Sequence, residues 1–341
     1  MMNNKSMNDE LIVHLDAASA HIIGGWAWIP SDYSKKLQIR LLGDDGVVLH
    51  SANADIFRQD LLDAGIGDGA HGFMFKGYFS GWVKEIIFLG EGVFKTIPVD
   101  LNNASEDEFL CVHHDDFMLK HIEVHPEFAH SLGAALAYYV KDAKDSADKL
   151  SKLCEGYFDK HSKLNLLEFA AGYGRVTRYL DRERFDITAC DIHREAIQYI
   201  RDNIKVNTLT SATCPEDFRS DSRYDVVFAL SFFTHLPDKT FGKWMRALYE
   251  QVSSGGLLIF TTHGRCMADH EYFKDIVHEG YAFVRVSEQG DLSTEDYGST
   301  LSLYEYVEKI CKEYINTSPV EWHEGFWHSN IQDVYIIKKD V

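Results

Sequence analysis

The sequence predicts two parts of different class. A small all-β, sandwich-like domain comes first, followed by an α/β domain whose largely parallel sheet has helices on both faces. Three observations predict this. From Leu11 to Val99 the chain is a series of short apolar or alternating runs separated by turn residues. From Lys163 onward, apolar runs alternate with helical patterns, the rhythm of repeated βα units. Between them in importance is Leu166 to Leu180, LLEFAAGYGRVTRYL, where an acid, small residues and glycines separate a strand pattern from a helical one.

The 341 residues, 45% hydrophobic and 26% charged, suit two globular domains. Residues 1–10, MMNNKSMNDE, are polar and are expected to be a disordered tail; they lack the apolar centre of a signal peptide. Residues 11–105 form the β module. Its runs are LIVHL, IIGGWAWI, LQIRLLG, VVLHSANA, GFMFKGYF, KEIIFLG and FKTIPV. In LLGDDGVVL, Asp45-Gly46 supplies the tight turn of a hairpin; only ADIFRQDLLDAG has a local helical pattern. Trp26, Trp28, Arg58, Asp60, His71 and Phe73 offer a carbohydrate face, although tryptophan in a β-sandwich ordinarily belongs to the core.

Residues 106–160 are expected to be a linker and helical lead-in. The polar DLNNASEDEFLCVHHDD is a linker or a bridging strand. After it, Leu132, Leu136, Tyr139 and Val140 recur at helical spacing. Residues 161–341 are the α/β domain. LNLLEFA, FDITACD, VNTLTSA, YDVVFALS and GGLLIFTTH are its strands; a helix from Arg175, REAIQYIRDN and KTFGKWMRALYEQV lie between them. Residues 264–300 break the rhythm after a strand's carboxyl end, as a lid-like insertion does. SLYEYVEKICKEY is then a helix, and SPVEWHEGFW and QDVYIIKK are closing strands.

With 34 basic and 53 acidic side chains the net charge is -19, a field that repels nucleic acid and anionic lipid. Six scattered cysteines without a C-x-x-C pair imply reduced thiols, neither zinc site nor disulfide framework. No apolar run is long enough to span a bilayer, so no membrane insertion and a cytoplasmic location are expected. HHDD (His113 to Asp116) and HIEVH (His121 to His125) lack zinc spacing and suit a solvated linker better than a metal site, so no metal is expected.

The glycine turn lacks both phosphate signatures. Gly172 and Gly174 fill two positions of G-x-G-x-x-G, but Thr177 stands at the third, and the G-K-S/T of a P-loop is absent. Glu168 ahead of the turn would repel a phosphate and suit an ammonium group; Asp191, ending the next strand, suits ribose hydroxyls. Ribose plus amino acid without phosphate resembles the ligand of class I S-adenosylmethionine-dependent methyltransferases. Their first motif, an acid followed by G-x-G-x-G, is matched by Glu168, Ala170, Gly172 and Gly174, with alanine in place of the first glycine. CPEDF (Cys214 to Phe218) resembles the segment flanking adenine, ALSFFTHLP (Ala229 to Pro237) the fourth-strand motif, and VSSGGLLIFTTHG (Val252 to Gly264) the turn and fifth strand.

The resemblance spans Glu123 to Lys339. It implies a Rossmann-like sheet and S-adenosylmethionine as cofactor. Asp191 with its neighbour Ile192 would hold the ribose, Glu216, Asp217 and Phe218 would flank adenine, and Ser231 would complete the site. More narrowly, GYGRVTRYL, FFTHLP, TTHGR, SEQGDLSTEDYGST and QDVYII resemble a bacterial methyltransferase group that accompanies glycan and secondary-metabolite genes. GWAWIP and DIFRQDLLDAGIGDGAHGF resemble a module found beside polysaccharide glycosyltransferases. The expected reaction is therefore O-methylation of a sugar hydroxyl on a glycan or its precursor. A small natural product or protein amine is the alternative acceptor, and a non-catalytic scaffold the alternative role. A glycosyltransferase complex or a homo-oligomer is the partnership such a module implies.

Methyl transfer to a hydroxyl needs alignment and a base. His235 and His263, after the fourth and fifth strands, are the candidate bases. Glu288, Asp296 and Tyr297 in the insertion, and Trp327 within Trp322, His323, Trp327 and His328, are candidates for contacting the acceptor.

Overall fold

The structure, a computed structural model, describes residues 11–101, 108–125, 128–274 and 279–340. The expected tail at residues 1–10 lies outside them. Two compact units form, residues 1–119 with 130–136, and residues 120–129 with 137–341.

The first unit holds β1 (Ile12–Ala18), β2 (Ile22–Trp28), β3 (Gln38–Leu42), β4 (Val48–Asn53), β5 (Ile56–Phe57), α1 (Gln59–Asp63), β6 (Ala70–Tyr78), β7 (Glu85–Gly90), β8 (Val93–Pro98) and β9 (Leu110–Val112). One antiparallel sheet runs β1-β2-β6-β5 with β9 added on β6; the other runs β4-β3-β7-β8. Ile23, Ala27, Phe73 and Phe75 of one sheet share a core with Ile39, Leu41, Ile86 and Phe88 of the other, so the module is a sandwich. Asp45 and Gly46 both take positive φ, 56° and 73°, in the turn between β3 and β4.

Alternation along β2 sends Trp26 and Trp28 to the side opposite Ile23 and Ala27, and both are half-buried. Trp26 stacks on His14 with ring centroids 5.7 Å apart. Arg58 donates to both Asp16 and Asp60, while Phe73 and His71 are buried. The tryptophans thus lie outside the sandwich core. The segment expected as linker contributes β9 to the first sheet. His113, His114 and Asp115 just beyond it bring ligand-type atoms within 4.8 Å of one another.

Next come α2 (Phe117–Val124) and α3 (Leu132–Glu155), then β10 (Leu164–Phe169), β11 (Phe185–Asp191), α4 (Arg194–Tyr199), β12 (Asn207–Thr210), β13 (Tyr224–Ala229), α5 (Asp238–Gln251), β14 (Val252–His263), β15 (Tyr281–Val284), β16 (Ser299–Ser302), α6 (Tyr304–Ile315), β17 (Glu321–Trp327) and β18 (Gln332–Lys338). The large sheet runs β12-β11-β10-β13-β14, all parallel; β18 then pairs antiparallel with β14, and β17 with β18.

Strand alternation buries both faces. Leu167, Phe169, Val227 and Phe260 pack with α5 and α6 residues such as Trp244, Met245, Val307 and Ile310. Leu166, Val226, Phe228 and Ile259 face the other way, against Ala147, Leu150 and Cys154 of α3. Strands buried on both sides explain the near-continuous apolar runs of the sequence. Among the described residues no helix is long and apolar enough to cross a membrane.

One expectation differs from the structure, and another gains detail from it. The helix expected from Arg175 is only a 3₁₀ turn at Thr177–Tyr179, because Leu180 is already extended and Thr177 turns its hydroxyl back to Glu168. The segment expected as an insertion at 264–300 carries strand structure. It contains β15 and β16, and Leu301 of β16 pairs with His263 of β14.

Candidate functional site

The site begins where β10 ends. Ala170, at the first glycine position of the motif, has φ 58°, and its methyl group lines the cavity described below. A left-handed alanine costs roughly 1–2 kcal/mol. Ala170→Gly is therefore expected to raise stability by about 1 kcal/mol, seen as a Tm increase of roughly 2–4 °C in thermal unfolding. Gly172 and Gly174 also have positive φ, 55° and 76°, for different reasons. A Cβ on Gly172 would meet nothing within 4 Å, whereas one on Gly174 would fall 2.3 Å from Ile204 Cδ1. Gly172 opens space beside the turn; Gly174 lets the turn pack on the segment after α4.

Glu168 is buried and accepts a hydrogen bond from Thr177 Oγ1 at 2.6 Å. Burial pushes its carboxyl up to about 7, against the opposing effects of the Thr177 bond and Arg175. Its carboxyl turns to Thr177 within the turn and does not line the cavity. Behind the turn, Arg175 pairs with Asp142 of α3, which also accepts from His328 Nδ1 at 3.0 Å. Burial pushes the Asp142 carboxyl up, but His328 and Arg175 outweigh it and hold it well below the usual carboxylate range.

Asp191 ends β11. Its Oδ2 accepts from the Gly172 backbone N–H at 2.8 Å. Its Oδ1 accepts twice from His193, from the backbone N–H at 2.9 Å and from Nδ1 at 2.8 Å. The other ring nitrogen of His193 lies 2.9 Å from Asp291 Oδ2 in the insertion. These bonds, that to Asp191 first, raise the imidazole to about 9 despite its partial burial.

A cavity of about 670 Å³ opens at these strand ends. Ala170, Asp191, Ile192 and His193 form one side, Ser211 to Glu216 another, and Phe232, Leu236 and Trp244 an apolar wall. Gln289, Leu292, Ser293, Asp296 and Tyr297 of the insertion complete it. Size, a carboxylate for hydroxyls and an apolar slot for a flat ring fit the adenosine of the implied cofactor. The space open at Gly172 leaves room for its amino-acid end. Asp191 and Ile192 would hold ribose, and Ser211 to Glu216 adenine.

Beyond the cavity, at the ends of β13 and β14, imidazoles gather around Glu288. His235 is buried, donates from Nδ1 to Gly298 O at 2.7 Å and stacks on Tyr297 at 4.4 Å. Its Nε2 is 3.5 Å from Glu288 Oε1. Gly298 N–H donates back to His235 O, and Thr300 N–H to Thr234 O, which ties the end of the insertion to the loop after β13. His263 is half-buried, and its Nδ1 donates to Thr300 O at 3.1 Å, leaving the lone pair on Nε2. Desolvation, followed by the nearby His235, pushes His263 down to about 4. Burial pushes the Glu288 carboxyl up, but His235, a backbone hydrogen bond, His121 and His263 together outweigh it, so the carboxyl is lowered. The Tyr297 phenol is raised well above its ordinary value by burial and then by Glu288 and Asp191, and stays a neutral donor.

Several expected residues stand elsewhere. Trp327 is fully buried against Phe228, with Nε1 donating to Ser146 at 2.8 Å, so it is part of the core and does not reach an acceptor. Trp327→Ala is expected to cost about 3–5 kcal/mol in chemical denaturation without changing cofactor affinity of the folded protein. Phe218 is likewise buried, between Phe169 and Trp244, and backs the cavity wall from behind. Asp217 does not line the cavity; Glu216 does, with its carboxylate paired to Lys243 at 2.7 Å. Ser231, at φ 57°, joins a network with Thr261, Gln332 and His328. His235 holds the insertion and backs Tyr297; it does not line the cavity. Sequence reasoning missed His193, Trp244 and Asp291. His193 had a local signal, two residues beyond the acid of β11; Asp291 had none.

Residues 136–285 match the family model described as a methyltransferase domain. Curated relatives include the ubiquinone biosynthesis O-methyltransferase of Rickettsia bellii, 25% identical over 191 residues, which are 54% of this chain and 74% of that protein. That of Rickettsia conorii is 26% identical over 214 residues, 60% and 70% of the two chains. Among solved structures, an S-adenosylmethionine-dependent methyltransferase from Clostridium acetobutylicum is 14% identical with TM-score 0.43, covering 59% of this chain and 93% of its own. The glycopeptide N-methyltransferase MtfA is 12% identical with TM-score 0.42, covering 57% and 89%.

Proposed function

We propose that the protein, whose C-terminal part is a class I S-adenosylmethionine-dependent methyltransferase domain, methylates a hydroxyl group, that of a sugar in a glycan or its precursor. The observation that carries this is the geometry of His263. Its Nδ1–H is fixed on Thr300 O, so Nε2 is a proton acceptor at the carboxyl end of β14. When bound, the cofactor supplies a methyl group on a sulfonium, a leaving group that departs neutral.

The chain's own residues do the rest. Asp191 and the cavity walls fix adenosine. Glu288, kept ionised by the imidazoles around it, accepts from an acceptor hydroxyl and orients it. His263 Nε2 takes the hydroxyl proton. An imidazole at about 4 is a weak base, yet it is neutral at pH 7, and the proton it takes grows more acidic as the oxygen gains its new bond. His235 and Tyr297 position the insertion that closes one side of the site.

A polar, imidazole-rich acceptor side suits the many hydroxyls of a sugar. Trp26 and Arg58 on the outward face of the β module supply a surface for recruiting the glycan, in a cytoplasmic setting where the cofactor is made. The O-methyltransferase relatives support an oxygen acceptor. A panel of nucleotide sugars, oligosaccharides, phenols and amines, incubated with deuteromethyl-labelled cofactor and read by mass spectrometry, tests this. Label on a sugar oxygen is expected; label only on phenol or amine would refute the sugar assignment.

A further inference from the structure

Asp191 is already occupied. Each carboxylate oxygen accepts about two hydrogen bonds. Oδ1 has both of its bonds from His193, and Oδ2 has one from Gly172 N–H. A ribose offers two vicinal hydroxyls. One finds the remaining site on Oδ2; the other needs Oδ1, where the imidazole sits. The same imidazole reaches Asp291, in a segment whose Gln289, Leu292, Ser293, Asp296 and Tyr297 line the cavity.

We propose that His193 is a displaceable occupant of the ribose-binding carboxylate, so that binding of the ribose diol exchanges the His193–Asp191 bond for its own and releases the insertion from β11. His193 is thus a positioning residue, acting on the cofactor through Asp191 and on the insertion through Asp291. The proposal rests on the placement of ribose at Asp191, not on the identity of the acceptor.

Charge makes the exchange visible. The charged groups in contact with the His193 ring include Asp191 from β11 and Asp291 from the insertion. The other charged groups lining the cavity are paired with each other, Glu216 with Lys243 and Asp296 with Lys239. Arg194 and Glu195 follow His193 on α4. With both carboxylates the imidazole holds its proton up to about 9. Losing Asp191 lowers that value, so at pH 8 ligand binding expels a proton, and by linkage binding tightens as pH rises.

Adenosine is the probe, because it carries the diol and the base but no group that titrates between pH 7 and 10. Calorimetry of the full chain with adenosine at pH 7.5, 8.5 and 9.5, in buffers of different ionisation enthalpy, reads both effects. Wild type is expected to bind several-fold more tightly at pH 9.5 than at 7.5, with net proton release at pH 8.5. His193→Gln is expected to bind without pH dependence or proton release. Asp291→Asn, which keeps His193 and Asp191, is expected to move the steep part of the curve to lower pH. A flat wild-type profile, or the same slope in His193→Gln, would overturn the exchange. Failure of adenosine to bind wild type and His193→Gln alike would overturn the placement of ribose itself, while leaving the acceptor assignment to the methyl-transfer panel.

Discussion

Asp191→Ala is expected to weaken S-adenosylhomocysteine binding roughly 100-fold, a loss of about 3 kcal/mol, the size of removing a charged hydrogen-bond partner. The carboxylate sits at the cavity wall, and its orientation is fixed from behind by Gly172 N–H and from the side by the backbone N–H of His193, bonds that stay when the imidazole gives way. A ligand diol therefore meets an acceptor already aimed. Asp191→Asn keeps the shape but loses charge and acceptor capacity, and is expected to fall between, at roughly 10-fold. Calorimetric titration of both variants, with thermal unfolding as a control for the lost Gly172 contact, checks this. Wild-type affinity in Asp191→Ala would remove the residue from the site.

The second large effect lies at the other end of the reaction. His263→Ala is expected to lower kcat roughly 10²–10⁴-fold, the usual contribution of a positioned base, with affinity for S-adenosylhomocysteine within about twofold of wild type. The pH dependence follows in sign from the position of its titration. His263 accepts a proton only while neutral, and it is neutral above about 4. With saturating cofactor, kcat should therefore be level from pH 8 to about 5.5; an acid limb near the ordinary histidine value would mean that another group is the base. An amine acceptor needs no base beyond its own lone pair, so a small effect of His263→Ala would argue for nitrogen as the acceptor atom.

The sequence carried much of the fold because strand faces are written locally. Leu166 and Leu167 point to opposite faces of β10, and each finds its own core. An apolar run ended by Asp191 is visible in the same way, although the acid itself is buried. The direction of a side chain is not visible. Glu168 stands where an ammonium-binding acid should, but Thr177 draws its carboxyl back into the turn. Trp327 offered an aromatic face beside His328, yet its place on β17 opposite Gln332 of β18 and the neighbouring Phe228 put it in the core. Trp26 and Trp28 erred in the opposite sense, because alternation with Ile23 and Ala27 gives them the outward face.

The insertion was the least legible part. Its length and position were apparent, but β15 pairs with β16 and β16 with β14, partners chosen by tertiary structure. The bond from His193 to Asp291 joins residues 98 positions apart. No local pattern announces such a contact.

The most direct measurement is a titration of the full chain and of Thr213→Trp with S-adenosylhomocysteine. Thr213 lines the cavity between β12 and the turn before Glu216, so a tryptophan there fills the space assigned to adenine. One-to-one binding to wild type and its loss in a folded Thr213→Trp are the expected results. Absence of binding to wild type, or undiminished binding to Thr213→Trp, would contradict the placement of the cofactor in this cavity.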